Sequence, residues 1–210
     1  GKIACLFLFI KTKKMSCEII SGRLEECKNS VSGLKTVYLI NYNEVNSDAV
    51  VYNTTDAGHE DEILTWTPVS DLVPLNLYKF ELKSTANSFN TTINTSRDNG
   101  TTWFEQTLVM NLKRQDVVTT KNIKLLAYSR PRAIVRTMTD QFFLMGLDQG
   151  ADMNAGSIAS GSELGSFNGY EGLTFIGQEE NPANFIDCST EAELATVFAT
   201  VSGVDAEIVV

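Results

Sequence analysis

From Tyr78 to Arg114 the chain carries a β-rich stretch that folds back on itself at Arg97-Asp98-Asn99-Gly100. Neither side of this turn contains a proline or a helix-forming run. The spacing predicts one unusually long β-hairpin, with a first arm from Tyr78 to Ser96 and a return arm from Thr101 to Leu112. Strands average about 5 or 6 residues, and an isolated two-stranded ribbon is marginal in water. An arm of this length therefore needs a surface beyond its own domain to cover it, and that need points to assembly.

The two halves of the hairpin differ. Tyr78, Phe80 and Leu82 share one face of the first arm, and Phe104, Leu108, Met110 and Leu112 supply an apolar face on the return, so the base belongs to a core. The distal part is polar: Ser84, Thr85, Asn87, Ser88, Asn90, Thr91, Thr92, Asn94 and Thr95, interrupted by Phe89 and Ile93. We take as candidate assembly residues Ser84, Asn87, Ser88, Asn90, Thr92, Asn94 and Ser96 on the arm, Asp98, Asn99 and Gly100 at the turn, and Thr102 on the return.

Elsewhere β patterns dominate. Strands are expected at Leu34–Tyr42, Val50–Tyr52, Glu62–Thr67 and Tyr170–Gly177, with a tight hairpin across Ala133–Met138 and Gln141–Leu147 and a last strand at Ala206–Val210. One helix is expected from Val117 to Ser129, capped by Asp116 and stopped by Pro131. A second, short helix opens with the capping-box pattern Thr190 to Glu193. Residues 150–169 are rich in Gly, Ser, Ala and Asn and read as a flexible loop, whose Gly156, Ser157, Ser160 and Gly161 are candidate contacts between stacked copies. The class is mainly β: a sandwich or partly closed barrel with a long hairpin and one flanking helix. The organisation expected is an extension or arm at 1–14, a β-sandwich domain at 15–187 and a helix/strand tail at 188–210.

Composition narrows the functions. A net charge of −9 and a pI near 4.7 argue against a phosphate-binding surface and against an anionic membrane, yet suit a surface past which nucleic acid slides without sticking. His59 is the single histidine and lies in a polar, acidic run, the setting of a solvated loop residue. Most zinc sites and nucleophile–base pairs use histidine, so no catalytic or metal-binding residue is assigned and no cofactor is expected. The carboxylates Glu60-Asp61-Glu62 and Glu179-Glu180 lack ordered calcium-ligand spacing and read as solvated faces. Cys5, Cys17, Cys27 and Cys188 show no CxxC spacing; free thiols are expected, with a Cys17–Cys27 pair left open. The apolar run Ile3–Ile10 is too short to span a membrane, and Met15 reads as the domain start, with the preceding residues docking as an arm.

Met-Ser-Cys at Met15-Ser16-Cys17 is followed ten residues later by Cys27, then Lys28-Asn29-Ser30 and Gly33. With Gly22, Asn99-Gly100-Thr101, Phe104-Glu105-Gln106 and Gly169-Tyr170-Glu171, in a run from Met15 to Asn184, this pattern resembles short acidic phage virion proteins. The mainly β pattern with a long polar hairpin, a helix between it and a second hairpin, and an acidic balance resembles the tail tube proteins of tailed phages. The resemblance implies a virion subunit that forms rings, commonly of six copies, stacked into a tube that conducts DNA. Adjacent hairpins would pair into a continuous barrel around the channel, with Ser, Thr and Asn facing the lumen and other tail proteins as partners. A head decoration or neck protein is the nearest alternative. A cell-surface adhesive subunit would instead need a signal peptide and paired cysteines.

Overall fold

The computed structural model describes residues 22–23, 31–55, 59, 61–83 and 86–210. The expected arm at 1–14, the start at Met15, the Cys17–Cys27 question and Ser84 lie outside them. The described chain forms two β-sheets and two helices, a sandwich-like arrangement of the expected class.

The larger sheet contains β1 (Leu34–Ile40), β2 (Val45–Tyr52), β3 (Ile63–Pro68), β4 (Asn76–Glu81), β7 (Arg132–Thr137), β8 (Phe142–Met145), β11 (Asn184–Ile186) and β12 (Glu207–Val209). Their order is β12-β4-β1-β7-β8-β11-β3-β2. All neighbours are antiparallel except β12 on β4 and β11 on β3. The smaller sheet contains β5 (Ser88–Ser96), β6 (Thr101–Lys113), β9 (Asp152–Ala159) and β10 (Gly169–Glu179), in the order β5-β6-β10-β9.

The central strands of the larger sheet are buried on both faces, which is why β1 reads as an almost unbroken apolar run. Tyr38 and Ile40 point into one core, and Val37 and Leu39 into the other. Every strand of this sheet sends a side chain into the first core, from Val45 of β2 and Trp66 of β3 round to Ile208 of β12. The sheet therefore curls on itself. Helix α2 (Glu191–Val197) plugs the hollow with Leu194 and Val197, followed by Phe198. Residues 188–210 are thus integral to the core. The second core fills the space between the sheets, where Val37, Val135 and Met145 meet Leu108, Met110, Leu173 and Phe175. Each such fully buried side chain contributes about 1.5–3 kcal/mol.

Helix α1 (Val117–Leu126) starts as its sequence requires, with the Asp116 carboxylate accepting from the backbone of Val118 and Thr119 at 3.0 and 2.9 Å. It is fastened to the smaller sheet by Tyr170, whose buried hydroxyl donates to Asp116 O at 2.9 Å and lies 2.6 Å from Thr120 Oγ1.

The first arm of the expected hairpin is two strands, not one. Chain from Asn76 to Glu81 pairs with β1 in the larger sheet, whereas Ser88 to Ser96 pairs with β6 in the smaller one. Leu82 buries into the inter-sheet core, and the chain then crosses over. Asn87 locks the crossing: its Oδ1 accepts from Asn111 N at 2.7 Å, while Asn111 Nδ2 donates to Ala86 O at 3.0 Å. A buried amide that closes a gap between sheets can replace the turn residues that usually mark one.

Candidate assembly surface

What remains of the hairpin is β5 and β6, in continuous register from Ser88↔Val109 to Ser96↔Thr101 around the turn at 97–100. Strand β10 covers β6 only as far as Glu179↔Phe104. Residues 94–103 therefore project past the sheet as a two-stranded ribbon.

Because facing residues share a side, the register assigns the two faces. One carries Ser88, Asn90, Thr92, Asn94 and Ser96 of β5, opposite Val109, Thr107, Glu105, Trp103 and Thr101 of β6. It continues with Thr174, Ile176 and Gln178 of β10 and Asp152 and Ala155 of β9. These rows contain no lysine or arginine; their charges are Glu105, hydrogen-bonded by Gln178 at 3.3 Å, and Asp152, paired with Arg130 at 3.3 Å. The other face carries Phe89, Leu108 and Phe175 into the core.

Several expected site residues fall elsewhere. Asn87 is buried and bonded to Asn111, so it faces no solvent channel. Thr102 sits opposite Thr95, its Oγ1 donating to that of Thr95 at 3.3 Å, on the core-side face rather than with Asn94 and Ser96. Asp98, Asn99 and Gly100 form the exposed turn, where Gly100 takes a positive φ of 63°. The expected flexible loop at 150–169 contains strand β9 over Asp152–Ala159: Gly156 and Ser157 belong to that strand, while Ser160 and Gly161 lie in the connection to β10. Glycine serves close packing there, since a Cβ on Gly156 would stand 2.8 Å from Leu173 Cδ2. The connection is braced by Ser166 Oγ, which accepts from the backbone of Ser162 and Glu163 at 2.9 and 3.0 Å.

Among the described residues, both outer strands of this sheet, β5 and β9, have one unpaired edge. Near these edges the core-side face leaves apolar side chains uncovered, Ile93 on β5 at 66% exposure and Ile158 on β9 at 54%. Sequence reading missed β9 as an edge, and with it the contribution of Glu105, Thr107 and Gln178 to the polar face; alternation along β6 alone could have found the first two.

His59 Nδ1 lies 2.8 Å from a Glu62 oxygen on an exposed loop. Glu179 is not solvated: it is buried and accepts from the backbone of Asp148 and Gln149, the latter at 2.9 Å. Burial pushes its carboxyl up from the ordinary range, against the pull of those N–H groups and the Arg132 charge. Cys188 is a free, half-buried thiol, pushed up to about 12 by burial and by Glu193 and Asp187. No described helix is long and apolar enough to cross a membrane.

Comparison of the chain with protein-family models, curated proteins and solved structures returned no match.

Proposed function

We propose that the chain is a self-assembling structural subunit, a tail tube protein of a tailed phage, whose four-stranded sheet joins those of neighbouring copies around a channel. The observation that carries this reading is a sheet whose two outer strands are, among the described residues, unpaired on one side, with a mostly polar face whose paired rows, Ser88–Ser96 and Thr101–Val109, supply no lysine or arginine. Unpaired strand edges invite pairing with another chain, and a closed barrel removes them all at once. Pairing β5 of one copy with β9 of the next satisfies both edges and covers Ile93 and Ile158. It also makes the face of Ser88, Asn90, Thr92 and Asn94 continuous from copy to copy. A wall made mostly of hydroxyls and amides, with Glu105 and the Arg130-paired Asp152 as its charges, gives DNA phosphates little to grip and repels them weakly. Stacked rings and other tail proteins complete the tube, and the subunit functions in the virion without a cofactor.

Electron microscopy of the purified chain tests the proposal. Rings or stacked tubes with an axial channel are expected, and persistent monomers at high concentration would sink it. Ile93→Lys places a charge at the β5 edge and is expected to abolish the rings while leaving the fold intact.

A further inference from the structure

The charges of this chain are segregated. There is no lysine or arginine from Thr36 to Tyr78 or from Thr137 to Val210, although both stretches are rich in Asp and Glu. The opposite holds between Lys113 and Arg132, which contain Lys113, Arg114, Lys121, Lys124, Arg130 and Arg132 against the single carboxylate Asp116. Arg132 is buried and Arg130 is paired with Asp152. Lys121 and Lys124 are exposed and, among the described residues, make no ion pair.

Those two lysines stand on the outward face of α1. Val117, Lys121 and Lys124 follow one another at i, i+4 and i+7, with Val118 and Leu125 alongside and Tyr128 in the turn that ends the helix, and Ile123 on the opposite side is the helix's buried residue. The outward face should be polar if it only met water. Instead Val117 is 86% exposed and Tyr128 84%, with Val118 and Leu125 also mostly uncovered. An apolar stripe interleaved with unpaired cations marks a contact surface for something acidic.

A surface of matching chemistry occurs on the same molecule. The loop after β3 exposes Val69, Leu72 and Val73, and the loop before β12 exposes Val201 and Val204, with Leu72 at 94% exposure. The two loops are held together by Asp71, which accepts from Ser202 N at 2.8 Å and from Ser202 Oγ at 2.7 Å. Both lie in the cation-free stretches and carry the exposed carboxylates Asp71 and Asp205. Among the described residues these loops hold apolar side chains and negative charge, and α1 holds apolar side chains and positive charge.

We infer that the outward face of α1 in one copy docks on the paired loops, 69–73 and 201–204, of a second copy. The contact is heterologous, so it propagates from copy to copy rather than closing a two-fold dimer. It supplies an axis of assembly separate from the strand edges, built from apolar contact with charge setting the register.

A zero-length carbodiimide cross-linker, which joins amines directly to carboxylates, tests this on the full chain. Isotope-labelled and unlabelled copies are mixed, cross-linked at low salt and digested for mass spectrometry. Mixed-isotope peptides joining Lys121 or Lys124 to Asp71 or Asp205 are expected. In the Ile93→Lys background, where edge pairing is removed, sedimentation should show Lys121→Glu/Lys124→Glu weakening self-association about tenfold, with Asp205→Lys restoring much of the loss. Leu72→Asp should abolish it. Cross-links from α1 that stay within one copy, or unchanged association of the double variant, would overturn the inference. So would a double variant whose only loss is binding to anionic lipid vesicles or DNA, because the occupant would then be another. Ile93→Lys leaves these cross-links in place, so failure of edge pairing and failure of this contact are read separately.

Discussion

Arg132 is the sharpest test of how the larger sheet is held in its curled shape. Its side chain is 2% exposed at the start of β7, and among the described residues it makes no ion pair or hydrogen bond to a carboxylate. Its guanidinium instead donates to three backbone carbonyls, Leu147 O at 2.9 Å, Tyr42 O at 2.5 Å and Val45 O at 2.8 Å. It also lies over the rings of Tyr42 and Trp66, 4.3 and 5.1 Å from their centroids. One cation thus joins the end of β1, the start of β2 and the end of β8. Arg132→Met keeps the apolar stem and removes every donor. Each carbonyl left unpaired inside costs about 1–3 kcal/mol, and the lost ring contacts about 1 kcal/mol more. Two effects offset this: the carbonyl of half-exposed Tyr42 regains water, and the cost of holding a charge away from water disappears, the same burial that lowers the pKa of Arg132. The net expectation is a loss of about 3 kcal/mol. With a urea slope of about 2–3 kcal/mol/M, the unfolding midpoint should fall by about 1 M without a change in slope. Arg132→Lys should lie between the two, since an ammonium keeps the charge but cannot fork to three directions. A loss below about 1 kcal/mol for Arg132→Met, or full recovery by lysine, would refute the account.

Three further outcomes can be measured. Glu191 at the start of α2 accepts from Tyr38 at 2.8 Å and sits 2.9 Å from Lys79 and 3.3 Å from Arg136. Burial opposes its ionisation, but these partners outweigh burial and hold the carboxyl below the ordinary range. Its contribution is therefore complete above the usual glutamate pKa of about 4.3 and lost as pH falls below it. The melting-temperature gap between wild type and Glu191→Gln should shrink on acidification through that window, and a gap that widens would contradict the assignment. Gly169 takes φ +149°, and a Cβ there would stand 2.1 Å from Leu112 O. Gly169→Ala should cost about 2–4 kcal/mol and lower the melting temperature by roughly 5–15 °C, with a drop under 2 °C counting against it. Replacing Thr95–Thr102 by Asn-Gly removes only side chains that belong to neither core. The shortened chain should melt within a few degrees of wild type and fail to form rings; ring formation by it would separate the ribbon from assembly.

Much of this fold is legible because local signals and burial agree. Leu34–Ile40 is apolar on both parities and is a central strand buried on both faces. Asp116, Thr190 and Glu193 cap their helices as their spacing demands. The break between β4 and β5 is illegible for a physical reason: no glycine or proline marks it, and the crossing depends on Asn87 meeting Asn111, a partner fixed by tertiary structure. Strand β9 is hidden by its small residues, which serve close packing on Leu173 rather than flexibility. Alternation correctly groups Ser88, Asn90, Thr92, Asn94 and Ser96 on one face. Locating Thr102 on the other required the pairing register, and so did joining Gln178 to the polar face.

Assembly of a chain carrying −9 must overcome repulsion between copies, and segregating the charges is a way to do so. At physiological salt, exposed charges interact over about 8 Å, so the net charge of a neighbour matters less than the groups directly opposite. The two contacts proposed here then respond to salt differently. Pairing β5 with β9 rests on backbone hydrogen bonds and apolar cover, and the charges near it are Glu105 and an Asp152 already paired with Arg130. Added salt has little to screen there and should leave the ring in place. Docking α1 on the loops of Asp71 and Asp205 depends on opposite charges, and added salt should loosen it. A salt titration followed by electron microscopy should therefore dissolve stacks into single rings before the rings themselves dissociate. Rings that come apart first, leaving copies still cross-linked through Lys121 or Lys124, would reverse the assignment of which surface builds the ring.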